Sequence, residues 1–349
     1  MRIYITLLLC LFTVIATAQT NESDRVRPFQ ISFITPFGTN GIDSHLITNM
    51  VSFNILGGYS YGTRYLELGG LYNANLQYTS GLIMAGLFNY SGKTENAVQA
   101  AGLFNISMEG NKCVQLGGVF NGAKESTAQL SGVLNVTKDS TVQLSGVTNI
   151  AVGTVGTQIS SVLNIAKEVN GLQLGLFNYA SDMNGIPIGL FSFVKNYTGK
   201  PELEVGFSDS LNTFVSLKFG VNQFYTIFSC GINYINDPSF MAYGLGMGTQ
   251  IDLFDGWGGQ IELMYYQIFK DEKYYWSTES DEFSLLTQFK VKALKQFGNH
   301  LKVFAGPVFN MTHRGEKRID LSTWSMWETG NKTKLKSWIG AEAGVSVNL

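Results

Sequence analysis

The chain is short of charge: Lys, Arg, Asp and Glu make up 14% of its 349 residues, against about 25% in an average soluble domain. With 45% hydrophobic residues, it has the apolar surface for a sizeable core, which excludes a disordered chain. Histidine and cysteine are scarce, three of each, too few for a ligand-dense metal protein. The formal net charge of −2 leaves no excess of cations to displace counterions from phosphates, so a general nucleic-acid binder is excluded too. Proline is rare at 6 and glycine abundant at 39, the mark of many tight bends. Beyond the first residues no stretch is apolar for 18 positions, so any membrane contact must be made by β-structure.

Residues 1–18, MRIYITLLLCLFTVIATA, combine Arg2, an apolar run from Leu7 to Ile15, and a small-x-small site at Ala16-Thr17-Ala18. This pattern predicts a cleaved secretory signal peptide, because the apolar run is shorter than the roughly 20 residues that span a bilayer. Export places Cys113 and Cys230 in an oxidising compartment, where they either pair or stay as separate thiols.

One unit recurs through the middle of the chain. Its copies are MAGLFN (84–89), VQAAGLFN (98–105), VQLGGVFN (114–121), AQLSGVLN (128–135), VQLSGVTN (142–149), LQLGLFN (172–178) and IPIGLFS (186–192), with weaker ones at 66–73 and 157–164. The closing residue is Asn73, Asn89, Asn105, Asn121, Asn135, Asn149, Asn164 and Asn178, then Ser192, a period of 14 to 16. The alternating cores read as strands and the polar linkers, such as TKDST (137–141), as turns. A meander would repeat every two strands and place alternate linkers at opposite ends. One consensus per strand instead predicts a parallel solenoid, whose equivalent positions stack at about 4.8 Å and turn the Asn column into a ladder of amides. The copy LQLGLFN is one residue short, a change that would flip a continuous strand and is harmless only at a corner. One large meander barrel in an outer membrane is the alternative architecture.

After Lys200 the repeat ends and the chain turns aromatic, with all five Trp between 257 and 338. Segments such as 240–252 alternate an apolar face (Met241, Tyr243, Leu245, Met247, Ile251) with a small or polar one (Ala242, Gly244, Gly246, Gly248, Gln250). About eight such strands fit in 201–349, and the pattern suits an antiparallel barrel, inserted in a membrane or soluble with one wet face. The segment FQISFITPF (29–37) offers a further strand with Pro36 at its end. The fold class expected is therefore all-β: signal peptide 1–18, a strand and lead-in at 19–62, repeats at 63–198 and an antiparallel barrel-like region at 199–349.

The opening FQISFITPFGTNG (29–41), SFNILGGYSYG (52–62), ELGGLYN (67–73), the GLFN-type repeats and KFGVNQFYTIFSCGINY (218–234) carry a family likeness. The chain resembles the bacterial surface-repeat proteins of Gram-negative cell envelopes. The resemblance implies an exported envelope protein of unknown activity and brings no catalytic residues to carry over; with the leader and the alternating strands, the location expected is the outer membrane or cell surface.

Candidate chemistry is sparse. Asp43-Ser44-His45 holds three catalytic residue types, but adjacent side chains point apart and form no relay. The Asn sequons at 89, 105 and 135 fall within the repeat column, which already accounts for them. Charge is segregated: 250–282 holds eight acids and two lysines, and 290–336 ten bases and three acids. These blocks read either as a solvated rim with weak pairs or as a basic edge, Arg314, Lys317 and Arg318, facing anionic headgroups or glycan phosphates. The function expected is a non-catalytic structural or binding surface with no cofactor, its partners an outer-membrane lipid, an envelope glycan or a protein, not nucleic acid. An outer-membrane channel or transporter is the alternative.

Overall fold

The computed structural model describes residues 25–197, 199–235, 240–270, 284–314, 325–329 and 334–349. The signal peptide expected at 1–18 lies outside them. The chain is a parallel β-solenoid of about nine turns followed by a closed antiparallel eight-strand barrel. Two compact units divide it, one ending at Thr127 and one running from Ala128 to Leu349.

In the first unit the strand Arg25–Ile34 pairs in parallel with Ile47–Gly69, Arg25 beside Ile47 and Ile31 beside Phe53. The lead-in at 19–62 is thus already solenoid from Arg25 onward, and FQISFITPF supplies its first strand, which ends at Ile34 ahead of Pro36. Local alternation alone gives no pairing direction, which is why a parallel coil was not legible there. The short 3-10 helix Gly41–Leu46 links the two strands. Tyr72–Ala85, Phe88–Ala101 and Phe104–Asn111 follow in register, Asn73 beside Asn89 and Asn89 beside Asn105. Parallel pairing of sequential copies excludes the meander. Corners stack directly on corners, and a Cβ on Gly102 would come within 2.2 Å of the Gly86 carbonyl oxygen. Only glycine permits that approach.

The second unit continues the pattern through Leu134–Ser145, Thr148–Ser160 and Leu163–Leu174 to Phe177–Met183 and Phe191–Val194. Asn135, Asn149, Asn164, Asn178 and Ser192 are successive register partners. The short copy keeps this register because its missing residue falls at the corner: strand Leu163–Leu174 stops one residue after Gln173, whereas Thr148–Ser160 runs two beyond Gln158. Ala151, Val155, Ala166, Val169 and Ala180 fill the apolar corner of the interior.

The barrel strands are β1 (Glu202–Ser208), β2 (Thr213–Val221), β3 (Phe224–Asn233), β4 (Phe240–Asp252), β5 (Trp257–Lys270), β6 (Ser284–Phe297), β7 (Leu301–Arg314) and β8 (Lys334–Asn348). Each pairs antiparallel with the next, and β1 closes on β8, Glu202 beside Asn348 and Ser208 beside Glu342. Tight turns join β2 to β3, β4 to β5 and β6 to β7 at one end. The connections 234–239, 271–283 and 315–333 leave from the other. An eight-strand closure removes both sheet edges and leaves an interior that side chains can fill.

Candidate functional site

The solenoid interior is polar, and one amide column organises it. Asn73, Asn89 and Asn105 each donate from Nδ2 to the Oδ1 of the Asn in the following coil, at 3.0, 2.9 and 2.9 Å, reaching Asn121. In the second unit Asn135, Asn149 and Asn164 do the same at 3.0 Å each, reaching Asn178, and Asn178 donates to the Ser192 hydroxyl at 3.3 Å. The other amide hydrogen goes to a strand-end carbonyl of the next coil: Asn89 to Ala100, Asn149 to Ile159, Asn164 to Leu174. That carbonyl fixes which end of the amide is nitrogen. The column therefore stitches corners as well as itself, and leaves these fully buried amides satisfied.

A second column was not read from the sequence, although its residues stand in every VQL copy. Gln115 Nε2 donates to Gln99 at 2.9 Å, Gln143 to Gln129 at 2.9 Å, Gln158 to Gln143 at 2.7 Å and Gln173 to Gln158 at 2.8 Å. These bonds run to the preceding coil, opposite to the Asn bonds. Each Gln amide also donates across the interior to a carbonyl just after the Asn, such as Gln143 to Ile150. Ile83 and Glu67 occupy the same column nearer the amino terminus. Glu67 is fully buried and accepts from Asn54 at 3.0 Å and from Asn75. Burial outweighs these bonds and pushes its carboxyl up to about 7.

The barrel is polar inside as well. Lys218 lies 2.5 Å from Glu204 and 2.6 Å from Glu262, and Lys292 lies 2.7 Å from Glu262 and 3.1 Å from Glu204. Lys290 pairs with Glu342 at 2.7 Å, and Lys200 and Lys302 both meet Glu202 at 2.6 Å. All nine side chains are buried. Alternation puts them there: Glu202 and Glu204, Lys290 and Lys292 sit two apart on one face of their strands. The glycine face of β4 also turns inward and makes room for large partners. A Cβ on Gly244 would stand 2.5 Å from the Tyr266 ring, and one on Gly248 2.6 Å from Tyr225. Tyr225 in turn donates to Glu262 at 3.0 Å.

This arrangement corrects the reading of the charge blocks as a solvated rim. Glu262, Lys290, Lys292 and Lys302 are buried partners in the lumen, because apolar alternation on the opposite face sends them inward. Of the basic edge, Lys317 and Arg318 lie outside the described residues, as does the side chain of Arg314.

The outer wall carries Met241, Tyr243, Leu245, Met247, Ile261, Leu263, Tyr265, Phe289, Val291, Val303, Phe309, Ile339 and Val345, all exposed. Among the described residues of the strands, the one outward Lys is Lys295, beside the β6–β7 turn, its ammonium 5.1 Å from the Trp257 ring centre. The solenoid exterior repeats the inversion. Val133, Val147, Val162, Leu176 and Leu190 form an outward column, each 36–44% exposed, and Leu71, Leu87, Leu103 and Val119 form one in the first unit. Phe88, Phe104 and Tyr72 stack in a ring column with centroids 5.3 and 5.0 Å apart. Charges such as Lys138, Asp139, Lys167 and Glu168 lie within the strands Leu134–Ser145 and Leu163–Leu174, so the polar linkers are strand and not the turns expected of TKDST; the bends fall instead at Gly132-Val133 and Ser161-Val162, where the small residues let the chain turn.

The last coil lies against the barrel's outer wall. Phe191 stacks on Phe228 at 5.0 Å, Phe193 meets Phe219 edge-on at 5.2 Å, and Thr226 Oγ1 donates to the Gly189 carbonyl at 2.6 Å. Beside this contact a cleft of about 590 Å³ opens between Leu176, Ile188 and Leu190 on the solenoid and Leu245, Met247 and Leu263 on the barrel.

In the Asp43-Ser44-His45 segment the Ser44 and His45 side chains turn to their own backbone. Ser44 donates to the Gly41 carbonyl and His45 Nδ1 faces the Ile42 carbonyl, so Asp43, Ser44 and His45 form no relay. Cys113 is buried, which pushes its thiol up to about 11, and Cys230 is exposed; the two are not bonded. No cluster of three metal-ligating side chains occurs among the described residues. Comparison with family models, curated proteins and solved structures finds no match.

Proposed function

We propose that the chain is an exported envelope protein whose eight-strand barrel spans the outer membrane and whose solenoid is a non-catalytic binding or structural surface. The observation that carries this reading is the inversion of the barrel: a lumen closed by Lys–Glu pairs inside a wall of exposed Leu, Met, Val, Ile, Phe and Tyr. In water that arrangement would be costly twice over, since apolar area stays wet and each buried ion forfeits several kcal/mol of hydration. In a bilayer the wall faces hydrocarbon and the lumen is the sheltered place for charge. Tight turns at one end, and at the other the longest connections, 271–283 and 315–333, beside the short turn 209–212, suit an outer-membrane barrel. The leader-like residues 1–18 and the resemblance to surface-repeat envelope proteins agree with export.

The test is fractionation of cells expressing the full chain, with gel mobility compared before and after boiling. The expected result is membrane recovery and a folded band that shifts on heating. Recovery in the soluble fraction without a shift would overturn the reading. The ion pairs that cross the lumen argue against a pore, so purified protein in planar bilayers is expected to give no unitary currents; ohmic single channels would favour the transporter instead.

A further inference from the structure

We propose that acyl chains of membrane lipid fill the cleft between the last solenoid coils and the barrel's outer wall, so that the solenoid's apolar column lies in the bilayer beside the barrel. The inference rests on the reading that the barrel spans a membrane, and it assigns a partner to the solenoid, which that reading leaves open.

Four observations carry it. The barrel side of the cleft is mid-strand wall: Leu245 and Met247 stand midway along β4 and Leu263 midway along β5, the height at which a spanning strand meets hydrocarbon. The coil cannot stand clear of that height, because Phe191 on Phe228, Phe193 on Phe219 and the Thr226–Gly189 hydrogen bond hold it to the wall. Whatever wets the wall there also wets Leu176, Ile188 and Leu190. The cleft's lining is mostly apolar: apart from Tyr265 its polar side chains are the hydroxyls of Ser160, Ser161, Thr226 and Thr287, and that of Thr226 is already taken up by the Gly189 carbonyl. Finally, parallel coils bond their backbone to one another and their Asn amides in a column, so the backbone of such a face meets hydrocarbon already paired, and the Ser160 hydroxyl is left without a partner in the cleft. The solenoid's charges, Lys138, Asp139, Lys167 and Glu168, lie mid-strand, several residues along the coil from the corner column of Val133 and Val162, as in an amphipathic element lying in an interface.

The experiment uses the full chain in phosphatidylcholine vesicles with Cys230→Ser, leaving Cys113 buried. Nitroxides are attached singly through Leu176→Cys and Leu190→Cys in the cleft, Lys167→Cys on the charged side, and Val345→Cys on the barrel wall. Relaxation by oxygen, which partitions into hydrocarbon, is compared with relaxation by a water-soluble nickel chelate. The expected result is oxygen-dominated relaxation at 176, 190 and 345, with the ratio reversed at 167 by several-fold. If 345 is oxygen-dominated while 176 and 190 respond to nickel, or to neither reagent as under a covering protein, the lipid assignment falls and the membrane reading stands. Nickel-dominated relaxation at 345 removes both.

Discussion

Replacing Asn149 by Leu isolates what the amide column contributes, because the two side chains are close in size and shape and little packing is lost. In the folded chain Asn149 Nδ2 donates to Asn164 Oδ1 at 3.0 Å, to the Ile159 carbonyl at 2.8 Å and, at the longer distance of 3.3 Å, to the Gln143 carbonyl, while its Oδ1 accepts from Asn135 at 3.0 Å. Leucine removes all four. Asn135 keeps its bonds to the Leu144 and Gln129 carbonyls, so the chief losses are the amide hydrogens taken up by Asn164 Oδ1 and Ile159 O. An acceptor left unpaired in a dry interior costs about 1–3 kcal/mol, so the variant should lose about 2–6 kcal/mol. Lys138→Ala, which removes an exposed pair with Asp139 at 2.9 Å, should stay within about 0.5 kcal/mol. Hydrogen exchange read by mass spectrometry on the intact chain reports this locally. A loss of about 2 kcal/mol already means a roughly thirtyfold drop in protection where exchange follows equilibrium opening. The drop should centre on peptides covering 135–178 and spare the barrel. Protection in 135–178 equal to that of Lys138→Ala would refute the claim that the column holds the coils together.

Other expectations follow from the same geometry. Cysteines placed at 135 and 149, register partners on parallel strands about 4.8 Å apart, should form a disulfide on mild oxidation, detected by gel shift under non-reducing conditions; persistent free thiols in folded protein would contradict the pairing. Glu67 is raised from 4.5 to about 7 by burial, so the fold binds a proton that the unfolded chain releases. Its favourable contribution is full below pH 4.5 and is lost as pH rises through about 7, a difference of at most about 3 kcal/mol. Urea midpoints followed by limited proteolysis of residues 47–91 should therefore fall from pH 5 to pH 8, and Glu67→Gln should flatten that dependence. In the lumen, Lys218→Met strands Glu204 and Glu262 beside the single remaining Lys292 and should cost about 3–5 kcal/mol. The folded gel band should be lost at lower temperature, with partial recovery in Lys218→Met/Glu204→Met; an unchanged midpoint would show the pairs to be idle.

Much of this was legible because repetition reports geometry. One consensus recurring at each strand implies translation, and translation implies stacked Asn. The Gln column was in the same text and went unread, since an alternating strand offers no sign that a central polar residue bonds to its copy in the coil before. Lumen charges escaped for a different reason. Lys290 finds Glu342 and Lys302 finds Glu202 across 52 and 100 residues of chain, distances over which composition shows only two blocks of opposite sign. The phase of alternation held the missing signal: Lys290 and Lys292 share a face with Gln288, opposite Phe289 and Val291. Whether that face is wet or enclosed depends on closure of β1 against β8, which no local pattern contains.

The opposed directions of the two amide columns bear on how long such a prism can grow. A row of amides all donating one way is an aligned set of dipoles, and in an α-helix such alignment leaves about half a charge at each end. Here the Asn row points toward the carboxy-terminal coils and the Gln row toward the amino-terminal ones, side by side in one interior. Their dipoles cancel coil by coil, while within each row every bond still polarises the next. A coil can be added or removed without building an electrostatic potential at either end, and coil number becomes free to set length alone.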